Sequence, residues 1–87
     1  MAAALQIWSH TFCRKFDALP PALQEVLRRK IDELGMRLNN FPHHRLTGRR
    51  EYRLRVGDYR VLYEYDIAAG RLLLLYVGHR RDIYKQP

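Results

Sequence analysis

The chain has a single cysteine, Cys13, so it can form neither an internal disulfide nor a cysteine-based metal cluster. Long apolar runs are missing too. The longest strongly apolar stretch, Leu72 to Val77, has six residues, about a third of a membrane span. Met1 to Leu5 lacks the charged segment and apolar stretch of a secretory signal. These absences lead us to expect a soluble, cytoplasmic protein with no membrane partner. Lysine is scarce, with Lys15, Lys30 and Lys85 against thirteen arginines, and nine acids face sixteen basic residues. With 87 residues there is room for one core. Residues 1–87 are therefore expected to be a single domain, which excludes a large multi-step enzyme.

What is present is arginine. The net charge is +7 and the isoelectric point about 10.1. The planar guanidinium fork matches phosphate geometry, whereas lysine acts as a point charge. A small arginine-rich domain points to a polyanionic partner, most simply nucleic acid. The charge is uneven: residues 1–42 carry six basic and four acidic side chains, residues 43–87 ten and five. The densest patch runs through Arg45, Arg49, Arg50, Arg53, Arg55 and Arg60.

The N-terminal half reads as a short strand and two helices. Leu5 to Trp8 is the strand. Ser9 can cap a helix whose apolar face is Phe12, Phe16 and Leu19. Pro20-Pro21 ends it and starts the next. There Leu23, Leu27, Ile31, Leu34 and Leu38 recur at steps of four, four, three and four. The C-terminal half reads as sheet. Tyr52, Leu54 and Val56 alternate with Glu51, Arg53 and Arg55, and Gly57-Asp58 is a two-residue hairpin signal. Tyr59 to Tyr65 and Leu72 to Val77 supply two more strands, the last without alternation and so the most buried. The expected fold class is α+β, a helical hairpin packed on a small antiparallel sheet.

The tight turn sets the register: Val56 faces Tyr59, Arg55 faces Arg60, and Leu54 faces Val61. Like charges directly opposite are unfavourable, and an anion bound between them would relieve the repulsion. After the last strand, Gly78-His-Arg-Arg-Asp-Ile-Tyr84 offers His79, Arg80, Arg81 and Tyr84. Converging guanidiniums, an imidazole and a phenol suit phosphodiester cleavage without metal or other cofactor. The arginines would stabilise charge on the phosphate, and His or Tyr would move protons.

The segment Tyr52-Arg-Leu-Arg-Val-Gly-Asp-Tyr-Arg-Val-Leu-Tyr63, followed by Val77-Gly-His-Arg-Arg-Asp-Ile-Tyr84, resembles the RelE branch of the RelE/ParE toxin superfamily. The resemblance covers nearly the whole chain. It implies the toxin of a type II toxin–antitoxin pair, partnered by a RelB-like antitoxin, the ribosome and messenger RNA. The implied reaction is attack by a ribose 2′-hydroxyl on the adjacent phosphate of message in the ribosomal A site, leaving a 2′,3′-cyclic phosphate. By position, Arg53 and Arg55 match the family's two second-strand basic residues, Arg60 its Gly-x-Tyr-Arg arginine, and Arg80 and Tyr84 its C-terminal arginine and tyrosine. The implied catalytic set is Arg55, Arg60, His79, Arg80 and Tyr84, with Arg45, Arg49, Arg50, Arg53 and Arg81 contacting RNA. The alternatives are a ParE-like inhibitor of DNA gyrase and an inactive relative that only binds its antitoxin.

Where the best-studied RelE pattern has lysine, this chain has Arg53 and Arg55. Arginine does not give up its proton in proteins, so Arg55 is an electrostatic group and not a base. Glu51 and His79 are the candidate proton acceptors. His43-His44 reads as loop and not as a metal site. Trp8, Cys13, Tyr63, Tyr65 and Tyr76 read as packing residues.

Overall fold

The computed structural model describes residues 3–83. Its elements run β1 (Leu5–Trp8), α1 (His10–Asp17), α2 (Pro21–Met36), β2 (His44–Arg45), β3 (Tyr52–Val56), β4 (Tyr59–Asp66) and β5 (Arg71–His79). The strands form one sheet in the order β1-β5-β4-β3-β2. The three C-terminal strands pair antiparallel, as expected, and the short N-terminal strand β1 joins their edge parallel to β5, which makes the sheet mixed. Strand β2 pairs antiparallel with β3.

The helices begin where local chemistry allows. The Ser9 hydroxyl accepts the Phe12 amide at 3.0 Å, satisfying one orphan donor of α1. Pro21 opens α2, where its missing N–H costs nothing. The α2 stripe buries Leu27, Ile31 and Leu34. Leu38, still buried, lies beyond the helix end. Among the described residues no helix is long and apolar enough to cross a membrane.

The main core lies between the helices and one sheet face. Phe12, Phe16, Leu27, Ile31 and Leu34 pack with Leu54, Val56, Val61, Tyr63, Leu72, Leu74 and Val77. Strand β5 carries a bulge: Leu62 pairs with Tyr76 and Tyr63 with Leu74, leaving Leu75 as the extra residue. The bulge reverses the alternation of β5, so Leu72, Leu74 and Val77 all join this core. That is why Leu72–Val77 does not alternate in sequence. The opposite face holds a second cluster of Leu46, Leu62, Tyr76 and Ile83, without any helix residue. It lies beside the arginines of β3 and β4.

Candidate functional site

Gly57, at φ +58°, makes the left-handed step of the β3–β4 turn, and Asp58 stays at negative φ. The pairs are Val56 with Tyr59, Arg55 with Arg60, and Leu54 with Val61, as expected. Arg53 pairs with Leu62 and Arg60 with Gly78. By alternation Arg53, Arg55 and Arg60 therefore share the face turned away from the helices. Gly78 is constrained by its neighbour: a Cβ there would stand 2.9 Å from the Tyr76 ring.

Arg53, Arg55, Arg60, Arg80 and Arg81 together line an open cleft of about 390 Å³. Five guanidiniums lining one cleft concentrate positive charge there. The arginines are not held alike. Arg60 is only 7% exposed, the one buried charged residue among those described. Its Nη1 donates to the carbonyls of Gly57 at 2.8 Å and Tyr59 at 2.9 Å. These bonds make it a strut behind the turn. Arg55 is exposed. The Arg80 amide donates to the Asp58 carbonyl at 2.7 Å, and Arg80 Nε lies 3.7 Å from Asp58 Oδ1. Ile83 is fully buried. It anchors the segment carrying Arg80 and Arg81, at roughly 1.5–3 kcal/mol for a buried aliphatic side chain.

His79 does not line this cleft. It pairs with Tyr59, so its side chain leaves the sheet on the helix-bearing face, with the ring edge-on to Tyr59 at 5.5 Å. Nδ1 accepts the Arg81 amide at 3.2 Å, which puts the ring proton on Nε2. Tyr84 lies outside the described residues.

Arg45 ends β2, and Arg49 and Arg50 lie in the loop that leads to β3; they line shallow depressions, one of which also includes Arg53. Arg49 is engaged internally, donating from Nε and Nη2 to the two Glu51 carboxylate oxygens at 3.2 and 2.9 Å. Those bonds hold the Glu51 carboxyl below its usual range. Glu51 is thereby a weaker proton acceptor than a free glutamate. Arg45 Nε donates to the Arg49 carbonyl at 3.0 Å, closing the loop on itself.

The histidine pair divides between two roles. His44 begins the two-residue strand β2. His43 Nε2 donates to the Leu38 carbonyl at 2.8 Å, since a carbonyl can only accept. Its Nδ1 then accepts the Tyr63 hydroxyl at 2.7 Å. The imidazole stacks on Tyr65 at 3.9 Å. Burial, with Tyr65 and Tyr52 nearby, pushes the Tyr63 phenol well above its ordinary range. This junction ties the chain after α2 to β4 and sets where the basic loop begins.

Sequence reasoning missed Asp58, Leu46 and Ile83 as supports of the cleft. Of these, Ile83 carried a signal, as the one aliphatic residue between Val77 and the C-terminus.

The sequence model of the ParE toxin of the parDE type II toxin–antitoxin system matches residues 7–84. Among solved structures, a chain of the toxin–antitoxin complex RelBE2 from Mycobacterium tuberculosis is 24% identical with a TM-score of 0.75, the match covering 94% of this chain and 97% of that one. A chain of the RelB–RelE antitoxin–toxin complex from Methanococcus jannaschii is 24% identical with a TM-score of 0.70, over 91% and 95%. A chain of the intact RelBE toxin–antitoxin complex of E. coli is 18% identical with a TM-score of 0.76, over 88% and 96%. The search of curated proteins found no match. Two helices on a five-stranded mixed sheet are the fold these chains share with this one.

Proposed function

This chain belongs to the ParE toxin family of type II toxin–antitoxin systems, within the RelE/ParE superfamily, and on that premise we propose that it cleaves messenger RNA in the ribosomal A site. The observation that carries this reading is the cleft of Arg53, Arg55, Arg60, Arg80 and Arg81. A scissile phosphate seated there gains negative charge as the neighbouring 2′-oxygen attacks. Fixed guanidiniums stabilise that charge more than the ground-state charge. The P–O5′ bond breaks as the P–O2′ bond forms. The 2′-hydroxyl proton leaves to a base, and the 5′-oxygen receives a proton. Metal is not required for this step.

Arg55 and Arg60 act on the phosphorane, with Arg80 on a non-bridging oxygen. Arg53 and Arg81 hold the flanking backbone, and Arg45, Arg49 and Arg50 extend the basic surface along the strand that leaves the cleft. Arginine cannot take the 2′ proton, Glu51 is occupied by Arg49, and His79 faces the other side of the sheet. Proton transfer therefore falls to Tyr84, immediately after the Ile83 anchor, or to groups of the ribosome. In the resting pair, a RelB-like antitoxin is the partner that masks the arginine face.

A second reading, inhibition of DNA gyrase, is favoured by the identity of the matching family model, which is that of a ParE toxin. One experiment separates the two. Primer extension on a message translated with the toxin gives new 5′ ends within codons, in phase with the reading frame, if it is a nuclease. Intact message together with gyrase-dependent DNA breaks or lost supercoiling replaces the nuclease reading with the second one.

A further inference from the structure

The arginines of the cleft come from two separate parts of the chain. Arg53, Arg55 and Arg60 sit on the β3–β4 hairpin, and Arg80 and Arg81 follow the end of β5. The β4–β5 ladder ends at the Tyr59–His79 pair. One residue further on, the Arg80 amide donates to the Asp58 carbonyl at 2.7 Å, so the turn continues the ladder by one bond. The Asp58 carboxylate then meets the same residue again, with Oδ1 3.7 Å from Arg80 Nε. Both side chains are more than half exposed, at 71% for Asp58 and 53% for Arg80. Such an exposed pair contributes little to stability. Its effect is on direction: the carboxylate draws a long, rotamer-rich side chain toward the hairpin tip. Asp58 does not itself line the cleft.

We propose that Asp58 is a positioning residue, which aims Arg80 from the hairpin tip so that Arg60 and Arg80 act on one phosphate. The proposal rests on the nuclease reading for its kinetic consequence, but not for its structural one. It also has an unusual sign. Removing an acid from the rim of an arginine cleft should by charge alone tighten polyanion binding and speed the reaction. Loss of aim should slow the reaction regardless.

The test is Asp58→Asn, which keeps the turn and the main-chain bond, measured by single-turnover cleavage on stalled ribosomes. We expect cleavage about tenfold slower at saturation, with equal or tighter ribosome affinity and unchanged thermal stability. In an Arg80→Ala background the same change should cost nothing further. In ¹⁵N NMR of the free toxin, the Arg80 Nε–H resonance should show a lower heteronuclear NOE in Asp58→Asn than in wild type. A variant that cuts at the wild-type rate or faster overturns the proposal and leaves the nuclease reading standing. If the wild-type toxin cuts nothing, the nuclease reading falls and the NMR measurement alone decides. There, an unchanged Arg80 NOE overturns the positioning role, and a lowered one upholds it.

Discussion

Arg55 and Arg60 stand directly opposite each other across the β3–β4 hairpin, one step from its two-residue turn. In such a hairpin the pair next to the closing pair is the non-hydrogen-bonded one, where facing side chains are closest. Two guanidiniums there repel, at roughly 0.2–1 kcal/mol. The expense is tolerated because Arg60 is tied to the Gly57 and Tyr59 carbonyls, leaving Arg55 as the exposed partner. Arg55→Gln should therefore stabilise the free protein at low salt, by about 0.5 kcal/mol or about 2–4 °C in Tm. A short RNA oligonucleotide should then raise Tm less in the variant than in wild type. Equal shifts in the two proteins would mean that no anion sits between these arginines.

Arg60 and Arg80 should separate stability from chemistry. Arg60→Ala removes a buried guanidinium and the bonds it donates to the Gly57 and Tyr59 carbonyls, and should cost about 1–3 kcal/mol in urea unfolding. Arg80→Ala, at a half-exposed position, should leave the unfolding midpoint almost unchanged. Both should lose on the order of 10²-fold in single-turnover cleavage. Cleavage by both variants near the wild-type rate would place the reacting phosphate elsewhere.

The hairpin and its facing arginines were legible in the sequence because a two-residue loop leaves only one register. The Ser9 cap, the Pro20-Pro21 break and the α2 stripe were legible for similarly local reasons. What escaped is non-local. Strand β2 has only His44 and Arg45, too few for any periodicity, and exists because Tyr52 and Arg53 present a free edge. The parallel pairing of β1 depends on where the helical crossover returns the chain. The burial of Arg60 depends on a carbonyl cage that composition does not reveal. The face taken by His79 follows from β5 continuing two residues past Val77, so that alternation carries the imidazole away from the arginines.

Ile83 makes a third prediction. Its side chain closes the small cluster with Leu46, Leu62 and Tyr76 behind the cleft. Ile83→Ala should destabilise by about 2–5 kcal/mol if that cluster unfolds with the whole. Ile83→Val, which removes one methylene, should cost roughly 0.5–1.5 kcal/mol. Hydrogen exchange should show the amides of Arg80 and Arg81 opening faster in the alanine variant than those of β4. Uniform loss of protection across the sheet would mean that the segment does not open separately.

The Arg49–Glu51 pair sets a pH dependence whose sign can be worked out. The folded Glu51 carboxyl is held below its ordinary 4.5, chiefly by the Arg49 hydrogen bonds. Above about 4.5 the group is ionised in both states and its contribution to stability is fully present. As pH falls through the depressed folded value, the contribution is lost. Glu51→Gln should therefore be less stable than wild type at neutral pH and approach it below about pH 4. Parallel stability curves for the two proteins from pH 7 to 3 would show that the pair adds nothing.

The last prediction concerns His79. Its Nδ1 accepts the Arg81 amide, and its ring lies edge-on to Tyr59 on the face opposite the arginine cleft. A glutamine can place a carbonyl oxygen where Nδ1 now accepts. His79→Gln should thus retain single-turnover cleavage within about threefold of wild type between about pH 5.5 and 8, across the range where histidines titrate. The shape of its pH–rate profile should be the same. His79→Ala, which cannot accept that amide, should lose more, because Arg81 is released. A slowing of His79→Gln by 10²–10⁴-fold together with a lost acidic limb would be the signature of general base catalysis. That result would bring the imidazole around the end of β5 to the phosphate. Short of it, the active proton acceptor is not on this face of the sheet, and Tyr84→Phe becomes the variant that decides where it is.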